Sequence, residues 1–271
     1  MQHSTTGEQD FKRLALGIEY DGKAYCGWQR QHHSPSVQQQ LEQALSQVAA
    51  QPIRLFCAGR TDSGVHATAQ VVHFDHSQPR PESAWLQGAN NLLPKDIVIN
   101  WCKPVDLEFH ARFSAVSRSY RYIIYNSLTP NAILANKVCW HRRPLDEKEM
   151  QKGADYLIGQ HNFTSFRASA CQANTPVRTM QNLTVSRKGR WITIDLKANA
   201  FLHHMVRNIV GCLFRVGEGR ESAAFVQKVL DLKDRNQAPD TARPDGLYLV
   251  EVGYPDKYSF PVANPLALGL R

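Results

Sequence analysis

The chain has 271 residues, about twice the length of a typical domain, so we expect two domains or one fused pair around a large core. Its hydrophobic fraction of 42% and charged fraction of 21% are typical of a soluble globular protein, and no apolar run approaches the ~20 residues of a membrane span. The formal net charge of +8 favours an anionic partner. The first ten residues are polar and lack the apolar stretch of a signal peptide.

The first half of the chain alternates strands and helices. The pattern predicts a strand over residues 14–20, a helix over 37–48, strands over 55–58 and 70–75, a helix over 82–93 and a strand over 97–101. This order is β-α-β-β-α-β, which is the split βαβ arrangement of a ferredoxin-like unit.

The second half repeats that order. The pattern predicts a strand over residues 120–125, a helix over 146–158, a hairpin of strands 182–185 and 191–196, helices over 202–216 and 223–230, and a strand over 247–252. We therefore predict an α+β fold with two ferredoxin-like halves, whose mainly antiparallel sheets meet at a central cleft. The halves span residues 11–103 and 104–255, and residues 1–10 and 256–271 are predicted to be tails.

The two predicted hairpins differ in the length of their turns. The second hairpin turns within residues 187–190, whereas the first carries nine residues, GRTDSGVHA, over positions 59–67. Loops that are longer than geometry requires tend to carry function, and Asp62 in this loop is a candidate nucleophile. An Asx-turn, in which Asp62 only binds its own backbone, remains the structural alternative.

The positive charge is concentrated in the middle of the chain. Residues 111–220 hold 17 Lys and Arg against 6 Asp and Glu. Arginines and lysines there are interleaved with aromatic residues, at Arg112, Arg118, Tyr120, Arg121, Tyr122, Arg142, Arg143, Arg187, Lys188, Arg190 and Trp191. This pattern favours a nucleic acid as the partner, although a solvated basic surface would have the same composition.

Cysteine and histidine spacing argues against disulfides and against a metal centre. No two of the six cysteines lie within thirty residues of each other. The pairs His32-His33 and His203-His204 lack a matching cysteine or carboxylate set in the sequence. We therefore expect a protein of the reducing cytoplasm with no bound metal.

Several sequence blocks, in order from about residue 13 to 255, resemble the tRNA pseudouridine synthase A family. They are GRTDSGVHA (59–67), EYDG (19–22), GWQRQ (27–31), FHARFSA (109–115), SYRY (119–122), NFTSFR (162–167), ANAFLHHMVRNIVG (198–211) and GLYLV (246–250). Ser63 stands where alanine is common in the family.

The resemblance implies an isomerase that turns uridine into pseudouridine at positions 38, 39 and 40 of the tRNA anticodon stem-loop. It also implies tRNA as the partner, a homodimer and a cytoplasmic location. The reaction exchanges no electrons, so no cofactor is expected, which agrees with the missing P-loop and ligand clusters.

The resemblance also assigns roles to individual residues. Asp62 would be the nucleophile, Arg207 its charged partner, and Tyr120 the ring that stacks on uracil. Arg60 would fill the gap left when the target nucleotide is flipped out, and Leu247 would form an apolar wall.

From the sequence pattern alone, each of these residues also has a simpler structural interpretation. Arg207 could be a surface side chain, Tyr120 a core tyrosine, Arg60 a phosphate contact and Leu247 an ordinary strand leucine.

Two other functions compete with the isomerase. A non-catalytic RNA-binding module would use the basic middle of the chain, but it leaves the long Asp62 loop unexplained. A glycoside hydrolase usually needs two paired carboxylates, and Asp62 is the single candidate that the sequence offers. Release of free uracil would distinguish a hydrolase from an isomerase.

Overall fold

The computed structural model describes residues 12–261, so the predicted tail of residues 1–10 and residues 262–271 of the tail predicted over 256–271 lie outside this range. The first half contains β1 (Lys12–Tyr20), α1 (Val37–Ala49), β2 (Phe56–Cys57), β3 (His66–His76), α2 (Ala89–Leu92) and β4 (Ile97–Val105). A π-helical turn, Ala84–Gly88, leads into α2, so the helix predicted over 82–93 is irregular. The predicted order of elements is present in this half.

The second half contains β5 (Ser117–Asn126), β6 (Cys139–His141), α3 (Glu147–Asp155), β7 (Gly159–Asn162), β8 (Val177–Lys188), β9 (Trp191–Ala198), α4 (Met205–Gly217), α5 (Ala224–Leu232) and β10 (Leu247–Gly253). The strands β6 and β7 are absent from the sequence prediction, because three or four residues are too few to show a periodic pattern.

All ten strands of the described chain belong to one sheet. Its order is β4-β1-β3-β10-β5-β9-β8-β7, with β2 paired to β3 and β6 paired to β5. The mixed α+β class and the mostly antiparallel pairing are confirmed. The sheet is continuous where two sheets were expected, because β3 and β10 pair in parallel through His66 with Tyr248 and Ala67 with Leu249.

One edge of β3 pairs with two different strands along its length, and the long loop lies between these two pairings. Val72 and His73 pair with β2, whereas His66 and Ala67 pair with β10. The chain between β2 and β3, residues 58–65, lies where one partner strand replaces the other. Because β3 already begins at His66, the loop is shorter than the nine residues predicted.

Side chains that alternate along β1 enter two different cores. Leu14, Leu16 and Ile18 belong to the main cluster, together with residues of the helices, whereas Ala15 belongs to a second cluster on the other face. Part of the predicted C-terminal tail covers this second face, since residues 256–261 supply packed aromatic rings. No helix within residues 12–261 combines the length and apolar character that a membrane crossing needs.

Candidate active site

The loop of residues 58–65 is fastened to strands on both sides. Tyr20 Oη and Thr61 Oγ1 form a buried hydrogen bond of 2.7 Å. Gln70 Nε2 in β3 donates to the carbonyl of Gly59 at 2.6 Å. The backbone around the candidate nucleophile is therefore fixed by side chains of β1 and β3, and not by the loop alone.

Two glycines allow the chain after β1 to approach this loop closely. A Cβ on Gly22 would lie 2.0 Å from the carbonyl oxygen of Val65, and one on Gly27 would lie 2.8 Å from the carbonyl oxygen of Thr61. Gly27 also has a φ of 95°, which favours glycine. These close approaches give a physical reason for the glycines in the EYDG and GWQRQ blocks.

Three cationic or protonable side chains surround the carboxylate of Asp62. Arg207 Nη1 donates to Asp62 Oδ2 at 3.1 Å, and the same guanidinium donates through Nε to the carbonyl of Ala242 at 2.8 Å. His203 Nε2 lies 3.4 Å from Asp62 Oδ1, and His204 Nε2 lies 3.6 Å from Oδ2. The helix α4 thus places Arg207 against the loop, with both histidines just before its first residue.

These neighbours keep Asp62 ionised. Burial acts to raise the pKa of the Asp62 carboxyl, but the hydrogen bond of His203 and the charges of His204 and Arg207 outweigh it, so the pKa lies below its ordinary value. The hydrogen bond to Asp62 raises the pKa of His203, whereas burial lowers the pKa of His204. The site therefore presents a carboxylate anion whose charge is balanced by protein groups.

The five residues singled out in the sequence share one cavity of about 1000 Å³: Arg60, Asp62, Tyr120, Arg207 and Leu247. Tyr120 and Leu247 are buried in its wall, and Arg60 is exposed. Burial raises the pKa of the Tyr120 phenol, and the nearby charge of Asp62 raises it further, so the hydroxyl stays protonated. The structure thus brings together residues that lie up to 187 positions apart in the chain.

One group of side chains in the described chain has the composition of a metal site. Ligand atoms of Asp62, His203 and His204 lie within 4.8 Å of one another. However, Arg207 already binds Asp62 Oδ2, and a divalent cation there would meet the guanidinium charge at close range. The arrangement fits an ion-pair cluster better than a metal centre, and the expectation of no metal stays a prediction.

Arg118, which the sequence suggests as a contact for nucleic acid, has a different position. It is buried, and its guanidinium donates to four backbone carbonyls, those of Ala58, Arg112, Ala115 and Asn199. It therefore joins the start of the Asp62 loop to two other segments of the cavity wall.

Several other arginines of the basic middle region bind carboxylates within the protein. Arg121 pairs with Asp195, Arg187 pairs with Glu147, and Arg143 pairs with Glu218. The cavity is instead lined by arginines at positions 54, 60, 112 and 178 in addition to Arg118 and Arg207. Charge along the sequence is thus an incomplete guide to the cationic surface.

Sequence reasoning missed the two histidines at the carboxylate. It considered His203 and His204 as a metal pair without a carboxylate, because their partner Asp62 is distant in the chain. Their spacing from Arg207, four and three residues within the helix predicted over 202–216, was the available signal. In the structure both histidines precede α4, and His204 has a φ of 62°.

Comparison with known proteins identifies the family of this chain. The family described as tRNA pseudouridine synthase matches residues 17–114 and 154–255. Because these segments cover more than half of the chain, the chain belongs to that family.

Individual relatives are similar over almost their whole length. The tRNA pseudouridine synthase A of Shewanella loihica is 56% identical over 95% of this chain and 97% of that protein. The proteins of the same name from Photobacterium profundum and Hydrogenovibrio crunogenus are 55% and 54% identical, over 94% and 92% of this chain and 97% and 95% of those proteins. A crystal structure of the archaeal box H/ACA sRNP Nop10-Cbf5 complex aligns with 89% of this chain and 50% of that chain, at 8% identity and a TM-score of 0.36.

Proposed function

We propose that this protein converts uridine to pseudouridine at positions 38, 39 and 40 of the tRNA anticodon stem-loop, with Asp62 as the nucleophile. The observation that carries the proposal is the ionised carboxylate of Asp62, held by Arg207 in a cavity of about 1000 Å³ in a chain of the tRNA pseudouridine synthase family. The relatives named tRNA pseudouridine synthase A support tRNA as the substrate.

The reaction moves one bond and needs no external electrons. The bond between uracil N1 and the ribose carbon breaks, and a bond from uracil C5 to the same carbon forms. C5 then loses a proton, and N1 gains one, so the atoms balance within the nucleoside. A carboxylate that forms and releases a covalent bond, either to the ribose or to the base, allows this exchange to proceed in two easier steps.

Each neighbouring side chain has a defined part in this proposal. Arg207 keeps Asp62 ionised and fixes its orientation through the bond of 3.1 Å. The ring of Tyr120 holds the detached uracil in the pocket, and its protonated hydroxyl is available as a hydrogen-bond donor. Leu247 supplies an apolar wall that limits water around the reacting base.

Arg60 is assigned to the opening of the RNA stem. Its side chain is exposed at the cavity, two residues before Asp62. A uridine within a stem can react only after it leaves the duplex, and flipping a paired base costs a few kcal/mol. A guanidinium that enters the gap would offset part of this cost.

The finer structural predictions belong to the same proposal. Each half is a ferredoxin-like unit, 11–103 and 104–255, which is supported by equivalent strand orders: β4-β1-β3 with β2 on β3, and β10-β5-β9-β8. We further propose a cytoplasmic homodimer, on the basis of the family resemblance.

Incubation of the purified protein with unmodified tRNA, followed by mapping of pseudouridine nucleotide by nucleotide, tests reaction and target together. We expect pseudouridine at positions 38–40 where uridine occurs, and no free uracil. Binding without product would favour the non-catalytic RNA-binding module, and release of uracil would favour a hydrolase.

A further inference from the structure

Beside the Asp62 loop, the cavity has a cation–aromatic border to which the proposed chemistry gives no role. We call it the Phe113 platform, and it consists of Arg54, Phe56, His110, Arg112 and Phe113. Phe113 is 75% exposed, which is a large exposure for a phenyl ring. An exposed ring at the edge of a binding cavity is available to a ligand.

The backbone that carries Phe113 is closed by its own hydrogen bonds. Ser114 N donates to the carbonyl of His110 at 2.8 Å, and His110 N donates to Ser114 Oγ at 2.9 Å. His110 Nδ1 accepts from the backbone N–H groups of Arg112 and Phe113 at 3.1 and 3.4 Å. Because this turn is already ordered, little conformational freedom would be lost when a ligand covers the ring.

Aromatic and cationic groups form a continuous row behind the exposed ring. The His110 ring centroid lies 4.3 Å from that of Phe113 and 5.5 Å from that of Phe56. Arg112 and Arg54 lie 5.5 and 5.4 Å from the ring centroids of Phe113 and Phe56. Rings next to guanidinium groups suit a ligand that combines a flat base with a phosphate.

The platform is linked directly to the catalytic loop. Arg118 Nη2 donates both to the carbonyl of Ala58, where the loop begins, and to the carbonyl of Arg112, next to Phe113. Two carbonyls that share one nitrogen lie close together. Asp62 and Phe113 also line the same cavity, so an RNA strand that places one nucleotide at Asp62 has the platform within the same space.

We propose that the Phe113 platform holds the nucleobase adjacent to the uridine that reacts at Asp62, by stacking on the Phe113 ring. The inference rests on the proposed function and names a second binding subsite for the same RNA. When the uridine flips out of the stem, the neighbouring base loses its stacking partner, and the Phe113 ring takes the place of the uridine. Stacking tolerates any base, so this contact suits an enzyme with targets in different sequence contexts.

The test uses stem-loop RNAs that carry the fluorescent base 2-aminopurine on either the 5′ or the 3′ side of the target uridine, because stacking quenches its fluorescence. The full chain is measured with Asp62→Asn, so that turnover does not alter the RNA during the measurement. We expect quenching with one of the two RNAs, loss of that quenching with Phe113→Ala, and an affinity weakened roughly tenfold or more, as for other base–aromatic contacts. Phe113→Trp should retain both signals.

Leu128→Ala is the matched control, since Leu128 is 74% exposed and does not line the cavity. It should change neither quenching nor affinity. The proposal is overturned if Phe113→Ala binds and quenches like its parent, or if it alters the oligomeric state in sedimentation while RNA binding is kept. Pseudouridine formation by the unmutated chain is measured separately. Quenching without pseudouridine would contradict the proposed function, and pseudouridine without quenching would contradict the proposed stacking on Phe113.

Discussion

Two hairpins of the sheet, β2–β3 and β8–β9, are built differently. In β8–β9, Lys188 pairs with Trp191, so the turn consists of two residues, and Gly189 has a φ of 61°. In β2–β3, Cys57 pairs with Val72, and the chain between them contains the Asp62 loop and the start of β3. The long loop lies where the pairing of β3 changes from β2 to β10. Because neither strand continues the pairing through this point, the loop has space to form a site.

The two connections also depend on different parts of the chain. In the tight turn, nothing lies within 4 Å of a Cβ built on Gly189, and the carbonyl of Arg190 accepts a hydrogen bond from the backbone N–H of Asn126 in the neighbouring strand at 2.8 Å. The Asp62 loop depends on Tyr20, Gly22 and Gln70, all outside the loop. Substitutions should therefore impair catalysis around the first hairpin and affect only stability around the second.

The largest of these effects is expected from Arg207→Lys. An ammonium group cannot bond both the Asp62 carboxylate and the carbonyl of Ala242 with the geometry of the guanidinium. We expect single-turnover pseudouridine formation to fall roughly 100- to 1000-fold. Arg121→Lys is the control, because Arg121 forms an ion pair with Asp195 away from the cavity. Near wild-type rates in both variants would contradict the role of Arg207.

Gly22→Ala tests the support of the loop from outside. The new methyl group would collide with the carbonyl of Val65 and displace the end of the loop. We expect the rate to fall about ten- to hundredfold, and overpacking to destabilise the fold by about 1–3 kcal/mol. Rates and thermal melts of the same preparations measure both effects, and an unchanged rate in a folded variant would show that the loop tolerates displacement.

Arg60→Ala should reduce modification unequally among the target positions. The loss should be roughly tenfold at position 39, which lies in the paired stem, and smaller at position 38, which lies in the loop and costs less to flip. Site-resolved single-turnover rates on one tRNA with uridine at both positions measure the difference. Arg80→Ala is the control, since Arg80 is exposed, does not line the cavity and lies outside the basic middle of the chain. Equal losses at the two positions would instead favour a phosphate contact for Arg60.

The smallest effect is expected from Gly189→Ala in the tight turn. Because Gly189 has a positive φ, alanine there should lower the free energy of unfolding by about 1 kcal/mol. The new methyl group would meet no other atom within 4 Å, so no steric clash adds to this loss. Chemical denaturation should detect this change, whereas the pseudouridine rate should stay the same. A loss of activity there would mean that the second hairpin also contributes to the site.

Much of the site could be predicted because its signals are local. The alternation on either side of residues 59–67 predicts the hairpin, and the unusual length of the connection indicates Asp62. The helical spacing of apolar residues predicts α4, although the structure starts it at Met205 and not at Leu202. The roles of Arg207 and Tyr120 came from the family resemblance and stay predictions.

The remaining features depend on contacts that no local pattern encodes. The parallel pairing of β3 with β10 involves residues about 180 positions apart, and it turns two expected sheets into one. Arg118 was grouped with the basic residues that favour a nucleic-acid partner, because no local pattern indicates the four backbone carbonyls that its guanidinium binds in the fold. His203 and His204 likewise gain their partner only when α4 reaches the loop.

The central claim is that the Asp62 carboxylate reacts with the RNA. Asp62→Asn keeps the shape of the side chain and removes its charge, so single-turnover assays with this variant test the claim most directly. We predict no detectable pseudouridine over many wild-type half-lives, with tRNA affinity within a few fold of wild type. Pseudouridine formed by the pure variant at a rate near that of the wild type would contradict the account.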